Sequence, residues 1–143
     1  MAQFITHSEN ETKTLASRIA KVGQAHHKSK VVALTGELGA GKTTFVQGFA
    51  KGLGIKDRII SPTFVLIRQH KIPESFRILY HIDLYRLEGK IGIKSLGLED
   101  LWSNPNNIVL IEWAEKIKKN LPKNTTKITL EKLGENKRLI TVS

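Results

Sequence analysis

Eight consecutive residues, Gly36-Glu37-Leu38-Gly39-Ala40-Gly41-Lys42-Thr43, fit the spacing G-x-x-x-x-G-K-[ST] of a phosphate-binding loop. Each residue type has a physical task there. The glycines let the backbone wrap closely around phosphate oxygens, so that its amides converge on them. Lys42 would reach the β- and γ-phosphates of a nucleotide, and the Thr43 hydroxyl would ligate Mg²⁺. Two carboxylates could complete such a site. Ile108-Val109-Leu110-Ile111 is an apolar run followed at once by Glu112, the Walker B arrangement of a buried strand that delivers one acid to a metal shell. Asp83 closes the run Phe76-Arg77-Ile78-Leu79-Tyr80-His81-Ile82, where it would serve as metal-shell or water-orienting group, or as an ordinary turn aspartate. Ser61-Pro62-Thr63-Phe64 sets small hydroxyls beside a rigid proline, which suits either a phosphate-sensing, switch-like loop or a plain turn. Arg86 could neutralise phosphate charge or pair with a surface carboxylate.

The elements around these residues must place them together. Val31 to Thr35 is apolar and reads as the buried strand that enters the loop. Thr44 to Leu53 reads as the helix that leaves it, with Phe45, Phe49 and Leu53 on one face and Gly54 as its left-handed stop. This strand–loop–helix order puts a positive helix end beneath the phosphates. Ser8 and Glu11 form a capping box, so an amphipathic helix is expected from Ser8 to about His26, with Leu15, Ile19 and Val22 inward and Thr12 in its first turn. Adjacent His26 and His27 would diverge on a helix, which disfavours a metal pair. Phe64 to Arg68 and Phe76 to Asp83 read as an antiparallel pair joined across Pro73-Glu74-Ser75. In the second strand Phe76, Ile78, Tyr80 and Ile82 share one face, and His81 and Asp83 the other. Gly89 to Gly97 is expected to be irregular. Leu98 to Trp102 is a short helix stopped by Asn104-Pro105, and Glu115 to Lys119 is a helical turn. Thr126 to Leu133 and Lys137 to Val142 form a hairpin around Gly134-Glu135-Asn136. Trp113 fits a core or a groove-lining role.

The chain has 143 residues, which suits a single α/β domain over residues 1–143 and leaves little room for a lid or second substrate domain. With no cysteine there is no disulfide or zinc–thiolate chemistry, and a cytoplasmic location is the expectation. No apolar run approaches the eighteen residues of a membrane helix, and no secretory h-region opens the chain. Twenty-three basic against 13 acidic residues give a net charge of +10. That charge suits either solubility or an anionic partner, and it is spread along the chain, densest at Lys116, Lys118 and Lys119. No aromatic-interleaved basic stretch suggests a nucleic-acid stacking platform, and DNA is not expected as a partner.

A guanine-specific protein would carry N-K-x-D. Asn136-Lys137 is followed by Arg138 and Leu139, so ATP is favoured over GTP. These residues describe a compact Mg²⁺-dependent nucleotide binder. An ATPase, a nucleotide-gated binding module with negligible turnover and a small-molecule kinase all remain compatible with them. Four motifs in order then resemble one family: Gly36 to Thr44, Ser61 to Phe64, His81-Ile82-Asp83-Leu84-Tyr85-Arg86-Leu87 and Ile111-Glu112-Trp113-Ala114-Glu115. Together they look like TsaE (YjeE), the bacterial P-loop ATPase required for threonylcarbamoyladenosine modification of ANN-decoding tRNAs. The resemblance covers essentially the whole chain. It implies a mixed parallel and antiparallel sheet flanked by helices. It also implies Mg²⁺–ATP as ligand and the TsaD–TsaB pair as partner, with tRNA met through that pair. Gly39, Ala40, Gly41, Lys42, Thr43 and Thr44 would hold the nucleotide, with Thr12 at its edge. Thr43 and Glu112 would share Mg²⁺, and Asp83, Lys42 and Glu112 would act in catalysis. Ser61, Pro62, Thr63 and Phe64 would form the switch-like loop. The departure from the family is charge, since many members are acidic or near neutral.

Overall fold

The computed structural model describes residues 1–24, 30–60, 67–86 and 96–143. In chain order the elements are β1 (Ala2–Thr6), α1 (Glu9–Gln24), β2 (Lys30–Thr35), α2 (Lys42–Gly52), β3 (Ile67–Lys71) and β4 (Ile78–Asp83). They continue with α3 (Leu98–Ser103), β5 (Asn107–Glu112), a 3-10 segment (Ala114–Asn120), β6 (Thr126–Lys132) and β7 (Arg138–Val142). The strands form one seven-stranded sheet in the order β1-β7-β6-β2-β5-β4-β3. β2 runs parallel to both β5 and β6, and β5 parallel to β4. The outer pairs β1–β7, β6–β7 and β3–β4 are antiparallel. The expected mixed α/β architecture is therefore present.

The strand sequences explain which strands are central. Every residue of β5 is buried, because parallel neighbours flank it and helical segments cover it on both faces. Alternation divides the apolar residues between two cores. Val32, Leu34, Leu79, Ile108 and Leu110 pack with Phe45, Val46, Phe49, Ala16 and Ala20 under α1 and α2. Val31, Ala33, Ile82, Val109 and Ile111 pack with Leu98, Ala114 and Ile117 on the opposite face. α1 and α2 approach closely because Gly48 and Gly52 face the backbone of Lys13 and Ser17. A Cβ at Gly48 would lie 2.4 Å from Lys13, and one at Gly52 would lie 2.5 Å from Ser17. α1 begins as its sequence predicts, with the Glu11 amide donating to Ser8 Oγ at 3.1 Å. The Glu11 carboxylate accepts from the His7 amide at 2.6 Å, one residue earlier than a standard capping box.

Five details differ from the sequence reading. β1 had no counterpart there: only Thr6 of its five residues is buried, and the strand exists because its backbone completes a ladder with β7. On α1 the buried positions are Thr12, Ala16 and Ala20, Leu15 and Ile19 are only partly buried, and Val22 is 68% exposed because it lies beyond the stretch of the helix that packs on the core. α2 starts at Lys42 rather than Thr44. β3 runs on through the polar residues Gln69, His70 and Lys71, since an edge strand needs a paired neighbour more than an apolar pattern. Phe76 is not on the inner row of β4. It is 96% exposed in the turn that the Ile72 amide closes on the Arg77 carbonyl at 3.0 Å. Ser61 to Phe64, the start of the strand expected from Phe64, His26-His27 and most of Gly89 to Gly97 lie outside the described residues.

Candidate functional site

The phosphate-binding loop leaves the end of β2 and turns into α2. Gly41 caps that helix with φ 102°, a left-handed conformation that costs glycine little. No side chain caps the helix and no acid sits in its first turn, so its first amides and positive end are left for an anion. β2, β4 and β5 are parallel, so their C-terminal ends meet at this point. Open α/β sheets bind ligands at that edge. Asp83 and Glu112 are the last residues of their strands, lie opposite each other in register, and share the α2 face with Leu79, Leu110 and His81.

A cleft of about 470 Å³ opens over the loop. That lies within the size range of small-molecule sites. Gly39, Gly41, Lys42, Thr43 and Thr44 line it, with Asp83, Tyr85, Glu112 and Trp113 from the ends of β4 and β5. Ser8, Glu9 and Thr12 contribute from the start of α1, and Glu135, Asn136 and Arg138 from the β6–β7 turn. The structure thus brings together all the expected binding residues except Ala40, whose side chain is buried beneath the loop. Thr12 is also buried, and its hydroxyl meets that of Thr6 at 2.7 Å.

Thr43 Oγ1 donates to Glu112 Oε1 at 3.2 Å, although the two are 69 residues apart. The other oxygen, Oε2, lies 2.5 Å from His81 Nε2. Asp83 Oδ1 accepts the Tyr85 amide at 2.9 Å, so it both makes a turn and lines the cleft. Lys42 folds back on its own loop, donating to the Gly36 carbonyl and to the Glu37 carbonyl at 3.0 Å. Its ammonium also lies 4.0 Å from the centre of the Trp113 ring. Burial holds the Lys42 pKa below that of an ordinary lysine, against the opposing pull of Glu112, Glu115 and Asp83. Trp113 holds a left-handed φ of 60°, an uncommon conformation for a bulky residue, and packs against Tyr85 with centroids 5.1 Å apart.

From the sequence, Arg138 enters only as the residue after Asn136-Lys137 where N-K-x-D fails, but the structure gives it a role in the site. Its Nε donates to the Ala40 carbonyl at 3.0 Å and its Nη2 to the Gly39 carbonyl at 3.2 Å, while Nη1 reaches carbonyls of the β6–β7 turn. It ties the outer side of the phosphate loop to the hairpin. No local pattern announces a contact across 98 positions. Arg86, the arginine singled out from the sequence, is exposed and does not line the cleft. The pairing of His81 with Glu112 was within reach: His81 precedes Asp83 by two, hence shares its face, and β4 and β5 are neighbours.

The comparisons with known proteins agree with one another. The family described as threonylcarbamoyl adenosine biosynthesis protein TsaE matches residues 6–140. A tRNA threonylcarbamoyladenosine biosynthesis protein TsaE of Bacillus subtilis (strain 168) is 38% identical over 136 residues, 95% of this chain and 81% of the relative. The protein of the same description from Rickettsia felis is 42% identical over 140 residues, 97% and 78% of the two chains. The crystal structure of Bacillus subtilis YdiB superposes with a TM-score of 0.79 at 32% identity, covering 99% of this chain and 83% of that one. The chain belongs to the TsaE family of tRNA threonylcarbamoyladenosine biosynthesis proteins.

Proposed function

We propose that the cleft binds Mg²⁺–ATP and hydrolyses it in support of threonylcarbamoyladenosine formation on ANN-decoding tRNAs, in partnership with the TsaD–TsaB pair. The observation that carries this reading is the convergence of Thr43 and Glu112 at 3.2 Å beside Lys42. A hydroxyl and a carboxylate oxygen are hard donors, and with phosphate and water oxygens they suit Mg²⁺. The ion would supply charge neutralisation across the β- and γ-phosphates when bound. The amides of Gly39 to Thr44 would take phosphate oxygens. Lys42 would exchange its loop carbonyls for the phosphates, which relieves the cost of a charge held in a buried site.

Asp83, which lines the cleft at the end of β4, would orient water. In hydrolysis the water oxygen forms a bond to the γ-phosphorus while the bond to the β,γ-bridging oxygen breaks. The water proton leaves through Asp83 or directly to phosphate. Arg138, the one arginine that lines the cleft among the described residues, is engaged by loop carbonyls, so an arginine to stabilise the transferring phosphoryl group would be supplied by a partner. On this reading turnover would be slow alone and faster in complex.

The test separates binding from chemistry. Asp83→Asn should retain Mg²⁺-dependent ATP binding and lose most hydrolysis, whereas Glu112→Gln should lose the Mg²⁺ dependence of binding. Equilibrium nucleotide binding with and without Mg²⁺, beside single-turnover phosphate release, measures both. The opposite pattern would exchange the two roles. Bound ATP that stays intact in the wild type, with partner present, would favour a nucleotide-gated switch.

A further inference from the structure

His81 is a wholly buried polar residue for which core packing gives no sufficient reason. Its position on β4 faces the core under α1 and α2, between Leu79 and Asp83. A leucine there would cost nothing in desolvation. The imidazole instead brings two nitrogens into the interior, and its Nδ1 has no hydrogen-bond partner among the described residues. An unsatisfied buried nitrogen is costly. The other nitrogen, Nε2, makes a 2.5 Å contact with Glu112 Oε2, where both side chains are almost fully excluded from water, at 0% and 3% exposure.

Glu112 is therefore gripped at both oxygens, by α2 through Thr43 and by β4 through His81. Its three side-chain torsions would otherwise leave the carboxylate several orientations at the end of β5. We propose that His81 is a positioning residue for Glu112: its Nε2–H fixes Oε2 and thereby presents Oε1 to Thr43, at the place where a nucleotide-bound divalent cation would sit. The role rests on the Mg²⁺–nucleotide reading above. It does not depend on the charge of the ring, since the Nε2–H tautomer and the imidazolium both donate. Partners that hold a metal-binding carboxylate typically account for about 10–100-fold in metal affinity.

The test uses the whole protein, a fluorescent ADP analogue, and Mg²⁺ or Mn²⁺ as titrant. Mn²⁺ occupancy is followed independently by electron paramagnetic resonance. His81→Phe keeps most of the ring volume and removes the donor, whereas His81→Gln places an amide nitrogen near the position of Nε2. His81→Asn keeps polarity but is too short to reach Glu112. The Phe and Asn variants should need about 10–100-fold more cation for half-occupancy. Their nucleotide affinity in EDTA should stay close to wild type, and Gln should recover most of the loss. In a Glu112→Gln background, His81→Phe should add no further cation defect. A folded Phe variant with wild-type cation dependence would overturn the role. So would an equal loss in the Glu112→Gln background. If the Phe variant does not fold, Gln and Asn variants of equal cation affinity overturn it. A wild-type protein whose nucleotide affinity ignores the cation would overturn the metal reading itself, and this role with it.

Discussion

Lys42 shows at the scale of one residue how the site is prepared. Its ammonium is held by two loop carbonyls and the face of Trp113, yet burial still disfavours its charge relative to water. In the nucleotide-free protein the lowered pKa has a definite sign. The unfolded chain holds the Lys42 proton up to the ordinary value of 10.5, and the folded chain releases it earlier. Between those two points the unfolded state binds more protons, so stability rises with pH there. Below the folded value the charge is a constant cost. Lys42→Met should lose ATP binding, and its stability relative to the wild type should fall as pH climbs toward 10.5. Urea unfolding of both proteins across alkaline pH measures this, and a relative stability that grows with pH would contradict it. The tasks of Gly39, Gly41, Lys42 and Thr43 were legible because the loop motif is local. The contacts of Trp113 and Arg138 were not, because each depends on a partner about 70 or 100 positions away.

Among the elements, those with a strong period were legible and those held by pairing were not. α1, α2 and β5 declare themselves through capping, helical spacing and an unbroken apolar run. β1 and the polar part of β3 are edge strands, and their conformation comes from the neighbouring ladder. The α1–α2 contact was hidden for another reason: Gly48 and Gly52 look like poor helix residues until the opposing backbone is seen. Gly48→Ala tests that contact. Alanine would gain about 0.5–1 kcal/mol in helix propensity. Forcing a methyl into a gap of 2.4 Å against backbone costs about 1–3 kcal/mol or more, so the clash wins. The variant should melt several degrees lower. Because α1 carries Ser8, Glu9 and Thr12 to the cleft, nucleotide affinity should fall as well. An unchanged melting temperature would mean that α1 can shift freely.

For the whole molecule, one sheet with a core on each face brings the C-terminal ends of β2, β4 and β5 to a single edge. That edge holds the phosphate loop and both acids. Leu38 and Tyr85 are exposed at the cleft, and Arg138 is bonded to loop carbonyls there. No helix among the described residues is long and apolar enough to cross a membrane. The net charge of +10 was plain from composition, but composition does not say which face meets a partner. If the charge aids association with the TsaD–TsaB pair, raised salt should weaken it as the screening length falls from about 10 Å at 0.1 M to about 3 Å at 1 M. The most direct test of the account is phosphate release from Mg²⁺–ATP as the TsaD–TsaB pair is titrated in, with Asp83→Asn beside the wild type. The expected result is a slow wild-type rate that rises with the pair, by up to about 10³–10⁵-fold if the pair supplies an arginine, and no comparable rise for Asp83→Asn despite equal ATP binding. A wild-type rate that stays flat while ATP is bound and the complex demonstrably forms would contradict it.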